Sequence, residues 1–184
     1  MKKKRGELLI NKDIKGQVWI ETVIYLLIAF IMIGMVLAFV KPKIEDIKDR
    51  AILEQSVEVM GDIDDTITTI GAPGNKRLVE IGLKEGTLTI NGVNNTLFFK
   101  MDSMHLFTEP GVKVQIGTVV AETTKKTRDN LVVLESNYTE SYNFTYNNNL
   151  ETKILTKAAI PHKVVITNKG TDSQGRTIIN FELG

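Results

Sequence analysis

The sequence contains no cysteine and only two histidines and four prolines among 184 residues. Without cysteine, neither disulfide bonds nor thiolate chemistry is available. Charges nearly cancel, with 23 Lys and Arg against 22 Asp and Glu, and they form no basic patch of the kind that binds nucleic acid. A zinc-protease motif, a phosphate loop, a nucleophile elbow and a dinucleotide fingerprint are all missing from the sequence. We therefore predict that the protein is not an enzyme and has no cofactor, metal site or nucleic-acid partner.

One long apolar run dominates the sequence instead. The segment from Thr22 to Val40 has nineteen residues without a charge. As a helix it would span roughly 28 Å, close to the thickness of a hydrocarbon bilayer core. Apolar residues cover every face, whereas a soluble helix of this length normally has a polar stripe. A secretory signal peptide is the nearer alternative, but its small-residue cleavage site follows a shorter run, and here Lys41-Pro42-Lys43 follows. The run predicts a membrane-spanning helix.

The charges that flank this helix predict its orientation. Residues 1–16 carry six Lys and Arg against two acidic residues, whereas the segment after Lys41 mixes both signs. The more basic flank stays in the cytoplasm. We therefore expect the N-terminus inside and the chain beyond about Lys41 outside.

The junction before the apolar run holds a lone carboxylate, Glu21. A carboxylate at the edge of a membrane helix is costly unless it contacts water or a partner, so it either lies in the headgroup layer or pairs. Cleavage between Gly16 and Gln17 would create an α-amino group four residues before Glu21. In a bundle of such helices, the Gln17 ammonium of one subunit would neutralise the Glu21 carboxylate of its neighbour.

The segment from Lys15 to Glu21 resembles the processing site of archaeal type IV pilins with a class III signal peptide. The resemblance rests on Lys15-Gly16, on Gln17 as the first mature residue, on Glu21 at the fifth mature position, and on the apolar run. Archaellins share the plan but usually lack the glutamate. The resemblance covers about the first quarter of the chain. It implies cleavage by a membrane prepilin peptidase and assembly of a filament whose core is made of these helices.

The rest of the chain predicts four segments. Residues 1–16 would be a cleaved cytoplasmic leader, 17–43 the transmembrane and polymerisation helix, 44–71 an amphipathic helix, and 72–184 an extracellular β-domain. Pro42 removes a backbone donor and predicts a kink or a break. The spacing predicts an apolar stripe along one face and acidic residues, among them Asp49, on the opposite, solvent-exposed face. The stripe comprises Ile44, Ile47, Ala51, Ile52, Val59 or Met60, Ile63, Ile67 and Ile70.

Beyond Gly74 the hydrophobic pattern changes from a helical period to an alternation of apolar and polar residues. Gly and Asn divide this region into short runs that are typical of strands. We predict an α+β protein, in which the long helix packs on an antiparallel β-sandwich or small barrel. Its first strand, Arg77–Leu83, is expected to form a hairpin with the run that ends at Asn91. A second turn is predicted at Asn91–Asn95, and Val112–Glu122 as one long strand.

Three N-glycosylation sequons fall in the predicted exterior part, at Asn94, Asn137 and Asn143. The two histidines, His105 and His162, have no partner at metal-ligand spacing, so we interpret them as structural.

The resemblance implies a structural subunit of an archaeal type IV pilus-like surface filament that mediates adhesion. Its partners would be itself, other pilins, the prepilin peptidase and the assembly platform. It would reside in the cytoplasmic membrane before assembly and in an extracellular filament afterwards. Two alternatives remain: a monomeric, membrane-anchored extracellular binding module, and a minor pilin that initiates filaments.

Overall fold

A computed structural model describes the backbone of residues 13–184 and the side chains from Val18 onward. It contains one long helix, α1 (Asp13–Thr68), followed by ten strands. The strands are β1 (Lys76–Ile81), β2 (Thr87–Asn91), β3 (Thr96–Ser103), β4 (Lys113–Ile116), β5 (Val119–Lys125), β6 (Asn130–Asn137), β7 (Tyr142–Tyr146), β8 (Thr152–Thr156), β9 (His162–Thr171) and β10 (Thr177–Leu183). The α+β class predicted from the sequence is confirmed.

The chain divides into two units, one that ends at Ile44 and one that runs from Glu45 to Gly184. The boundary lies inside α1, which includes Pro42 as one assigned helix. Of the two predicted outcomes at Pro42, a kink or a break, the break does not occur. A proline within a helix removes one hydrogen bond, but the turns on either side keep theirs.

The second unit contains two sheets. One has four strands in the order β1-β9-β10-β7, and the other has six in the order β4-β5-β6-β3-β2-β8. Neither sheet closes into a barrel. All neighbours pair antiparallel except β10 and β7, which are parallel. Fully antiparallel sheets were expected, but β7 and β10 are far apart in sequence, and only a short hairpin connection imposes an antiparallel pair.

One hydrophobic core joins these elements. It includes Leu53 and Ile63 of α1, Phe99 and Leu134 of the six-stranded sheet, and Phe181 of the four-stranded sheet, all at most 1% exposed. Phe144 packs against Phe181 with their ring centroids 5.0 Å apart. The apolar burial of helix and sheets stabilises this unit as a single folded body.

The buried stripe of α1 differs from the predicted one at its start. Ile52, Ile63, Ile67 and the following Ile70 are buried as predicted, but Ile44, Ile47 and Ala51 are exposed. Asp49, expected on the solvent face, is 8% exposed and accepts a hydrogen bond from the Met104 backbone N–H at 2.6 Å. The spacing of apolar residues along a helix cannot predict that Asp49 is buried through a hydrogen bond to the backbone of a distant loop.

α1 ends at Thr68, shortly before Gly71-Ala72-Pro73-Gly74. Gly71 has a positive φ of 76°, a conformation that glycine adopts without steric cost. The Asn75 side-chain amide donates to the Ile70 carbonyl at 2.9 Å, and that of Asn168 donates to the Gly71 carbonyl. These contacts fix the exit of the chain from the helix.

Two strand predictions were wrong. β1 pairs with β9 and not with β2, so the predicted β1–β2 hairpin does not form. The Lys84-Glu85-Gly86 segment instead carries the chain from one sheet to the other. The single strand predicted from Val112 to Glu122 is a hairpin of β4 and β5, turned at Gly117 with a φ of 61°. The predicted turn at Asn91–Asn95 does join β2 to β3.

Candidate functional site

The exposed apolar segment of α1, Val18–Val40, is the first candidate. Its large side chains lie on the surface, including Trp19 (70% exposed), Phe30 and Phe39 (78%). None of its apolar window is buried within the protein, and its length and composition meet the requirement for crossing a membrane. Such a surface is stable only when lipid or another protein covers it.

Glu21 lies at the N-terminal end of this segment and is exposed. Among residues 18–184, no side chain pairs with its carboxylate. Thr22, beside it, donates its hydroxyl to the Val18 carbonyl at 2.9 Å, which satisfies that polar group inside the helix. The carboxylate thus remains the one charged group on the apolar surface from Val18 to Val40.

The predicted processing residues Lys15, Gly16 and Gln17 belong to the backbone of α1. Their side chains, and all of residues 1–12, lie outside the described part of the chain. The predicted leader and the predicted Gln17–Glu21 contact therefore stay predictions.

The two histidines each contact a polar group. His105 Nδ1 lies 3.0 Å from Asp46 Oδ1, and its side chain is 23% exposed. His162 Nε2 lies 2.8 Å from the Thr156 carbonyl oxygen. Within residues 18–184, no three His, Cys, Asp or Glu side chains are grouped as metal ligands. Both histidines join segments of the fold.

Two of the three sequons lie next to each other. Asn94 and Asn137 are exposed, and the Thr139 hydroxyl lies 3.0 Å from the Asn94 carbonyl and 2.7 Å from Asn137 Oδ1. Asn143 is half-buried in β7, and its amide faces Asp172 Oδ2 at 3.4 Å. The structure thus leaves Asn94 and Asn137 more accessible to a glycosylating enzyme than Asn143.

A groove lies beside these sequons, with a volume of about 660 Å³. It is lined by the end of α1 and by the β6–β7 connection; the lining residues are Asp64, Thr68, Thr118, Ser136, Asn137, Tyr138, Thr139, Glu140, Ser141 and Tyr142. Sequence reasoning missed the groove, because Asp64 and Tyr138 are distant in the chain and no spacing pattern connects them.

Tyr138 forms part of the groove wall and is 7% exposed. Its hydroxyl is fully buried and has no hydrogen-bond partner. Burial raises the pKa of Tyr138 and the nearby Asp64 carboxylate raises it further, while the Ser136 side chain lowers it; neither Asp64 nor Ser136 forms a well-shaped hydrogen bond with the hydroxyl. An unpaired buried hydroxyl is unusual, since most such groups find a partner.

Comparisons with protein-family models, with curated proteins and with solved structures found no match to this chain.

Proposed function

We propose that this protein is a pilin-like subunit that assembles through the exposed apolar segment of α1. The observation that carries the proposal is the exposure of that segment, none of whose apolar window is buried within the protein. A membrane covers such a helix before assembly, and neighbouring helices cover it in a filament. The resemblance of Lys15-Gly16-Gln17 and Glu21 to a prepilin processing site favours the filament over a simple anchor.

Glu21 is the residue that we expect to set the axial register. Neighbouring helices that pack by apolar contact alone can slide past one another, because such contacts are not directional. A single carboxylate in the apolar segment is satisfied only where a cation faces it, and the new Gln17 amino group supplies one after cleavage.

The first experiment determines the N-terminal residue of the protein recovered from cells that contain an active prepilin peptidase, by intact-mass spectrometry. We expect a chain that begins at Gln17. A chain that still begins at Met1 overturns the filament proposal and favours an anchored monomer. The same spectrum reports added glycan mass, which we expect at Asn94 or Asn137.

The second experiment compares Glu21→Ala with Glu58→Ala, a matched removal of an exposed carboxylate from the Glu45–Gly184 unit. Both variants should enter the membrane and be processed. Only Glu21→Ala should fail to form filaments under electron microscopy. Normal filaments from Glu21→Ala would reject the register role.

The groove beside Tyr138 favours a second candidate, a membrane-anchored binding module that acts as a monomer. It has the same orientation and membrane helix, but no processing at Gly16 and no self-assembly. The N-terminal mass separates the two candidates.

A further inference from the structure

The dipeptide Asn91-Gly92 stands at the end of β2 and is the only Asn-Gly pair in the sequence. An asparagine before glycine is chemically labile, because glycine has no side chain to hinder its backbone nitrogen. That nitrogen attacks the side-chain amide carbon of Asn91, a C–N bond forms, and the amide group leaves with the N–H proton as ammonia. Water then opens the resulting succinimide ring to aspartate or isoaspartate. The reaction needs water and no other reagent.

The folded structure engages both reacting groups. The Gly92 N–H donates to the Glu151 carbonyl oxygen at 3.1 Å. Asn91 Oδ1 accepts the backbone N–H groups of Val93 at 3.0 Å and of Asn94 at 3.1 Å. Ring closure requires the Gly92 nitrogen to lose its proton and the backbone to rotate between Asn91 and Gly92, so these hydrogen bonds must break first. The closed structure therefore protects the dipeptide.

Gly92 has no room for a side chain. A Cβ atom at this position would lie 2.7 Å from the Glu151 carbonyl oxygen and 3.0 Å from that of Phe144. Both oxygens belong to the backbone, so they cannot move aside as the end of a flexible side chain would. Packing thus requires the glycine, while the turn uses the asparagine side chain, and the β2–β3 hairpin contains a labile dipeptide as a consequence.

The protection depends on β8. Among the strands that the structure describes, β8 pairs only with β2, at the edge of the six-stranded sheet. Leu155 is the one buried residue of its five. The first residue, Thr152, directly follows Glu151, pairs with Asn91, and places its hydroxyl 3.4 Å from Asn91 Oδ1. Segments with few buried apolar contacts open locally at a lower free energy than the whole domain unfolds. Opening of β8 withdraws the Glu151 carbonyl from Gly92.

We propose that Asn91 is a site of spontaneous modification, protected while β8 is paired and converted to aspartate or isoaspartate when β8 opens. Isoaspartate adds a methylene group to the main chain, so it displaces the register of β2 against β3 and β8. The conversion therefore records the opening of this sheet edge irreversibly. It concerns the Glu45–Gly184 unit alone and holds for a filament subunit and for an anchored monomer.

The first test incubates the full chain in detergent at neutral pH, once folded and once unfolded in urea. Tandem mass spectrometry follows the conversion of amide to acid at Asn91. We expect conversion in urea and a rate at least about tenfold lower in the folded protein, which corresponds to an opening free energy of about 1.4 kcal/mol or more. No conversion in urea, or equal rates in the two states, overturns the proposal.

The site is assigned in urea, where the variants cannot act through folding. Asn91→Gln should abolish the conversion at this position, because glutamine would have to close a six-membered ring, which forms far more slowly. Asn94→Gln, three residues away, should leave the conversion of Asn91 unchanged. Conversion at residue 91 that persists in Asn91→Gln would contradict the succinimide route.

The role of β8 is tested with two neighbouring residues of that strand. Leu155 is 2% exposed and Ile154 is 56% exposed. In the absence of urea, Leu155→Ala should accelerate the conversion by about tenfold or more, since it removes the buried side chain of the strand, and Ile154→Ala should leave the rate unchanged. Near-ultraviolet circular dichroism of the same samples reports that the domain remains folded. Equal rates in the two variants would reject control by β8.

A measurement on the unmodified sequence covers the case in which Leu155→Ala does not fold. The conversion rate is measured at rising urea concentrations, beside the global unfolding curve. Local opening of β8 should raise the rate at urea concentrations below the unfolding transition. A rate that rises only within the transition would show that global unfolding, and not β8, exposes the dipeptide.

Discussion

The helical residues from Val18 to Ile44 leave nearly all of their large apolar side chains exposed, whereas the unit from Glu45 to Gly184 contains one core of buried apolar side chains. The apolar surface of the first region can be covered only by other molecules, whereas the second region covers the side chains of its core by itself. The same force, removal of apolar surface from water, therefore acts between molecules in one region and within one molecule in the other. Substitutions should have different consequences in the two regions, and the predictions below are ordered by the size of that difference.

The largest expected effect comes from one substitution placed in both regions. Ile31→Lys puts a charge in the middle of the apolar segment, which costs about 2.5–3.5 kcal/mol for insertion into a membrane. Ile47→Lys places the same charge on an exposed position of the second unit. Carbonate extraction of membranes should find Ile31→Lys released and Ile47→Lys retained. Equal retention of the two variants in the membrane fraction would show that the apolar segment does not anchor the protein.

The second effect concerns the core. Phe144 is fully buried between Tyr138 and Phe181, and its truncation in Phe144→Ala should lower the free energy of unfolding by about 3–5 kcal/mol. Val93→Ala, at a position that is 67% exposed, should change it by less than about 0.5 kcal/mol. Urea unfolding followed by near-ultraviolet circular dichroism measures both. Neither variant should alter the retention of the protein in carbonate-extracted membranes. A loss of retention would show that the two regions do not act independently.

A third, smaller effect separates two neighbouring asparagines. Asn95 is buried at a positive φ of 53°, and its side-chain oxygen accepts the Phe144 backbone N–H at 2.8 Å. Asn95→Ala leaves that donor unpaired, and we expect a loss of about 2 kcal/mol in unfolding free energy. Asn94→Ala, on the exposed neighbour, should change stability little. Equal losses in urea unfolding would show that the hydrogen bond is not what stabilises this turn.

The smallest effect is pH-dependent. Burial raises the pKa of Asp172, but hydrogen bonds from the Arg176 and Gln174 backbone N–H groups and from the Arg176 guanidinium outweigh it, so the pKa lies below its usual 3.8. A carboxyl whose pKa is lower in the folded state stabilises that state above its unfolded pKa and loses the effect as pH falls through the folded value. Wild type should therefore be more stable than Asp172→Asn near neutral pH, and the gap should close below pH 3.8. A gap that persists in acid would assign the effect to packing instead of charge.

The sequence predicts local structure in this protein well and long-range pairing poorly. The apolar run predicts the helix because its signal lies in consecutive residues, and the Asn91–Asn95 turn predicts the β2–β3 hairpin for the same reason. The partner of β1 was not predictable in this way. β9 lies near the other end of the chain, and the turn at Gly86 looks the same whether the next strand returns to β1 or joins another sheet.

The candidate sites show the same difference between local features, which the sequence predicts, and long-range contacts, which it does not. Glu21 and the sequons are visible in the sequence as patterns of adjacent residues. The groove is not, because it exists only where the end of α1 meets the β6–β7 connection. Thr139, predicted only as the third residue of a sequon, also contacts the Asn94 carbonyl and so brings two sequons together.

The position of β10 bears on when this domain folds during its synthesis. β10 lies between β9 and β7 in the four-stranded sheet, and both neighbours precede it in the chain. During synthesis, β7 and β9 therefore emerge from the ribosome before β10, the strand that lies between them in the sheet, has been made. The four-stranded sheet therefore stays incomplete until β10 has been made, so we expect the Glu45–Gly184 unit to be translocated as an unfolded chain and to complete its fold outside the membrane.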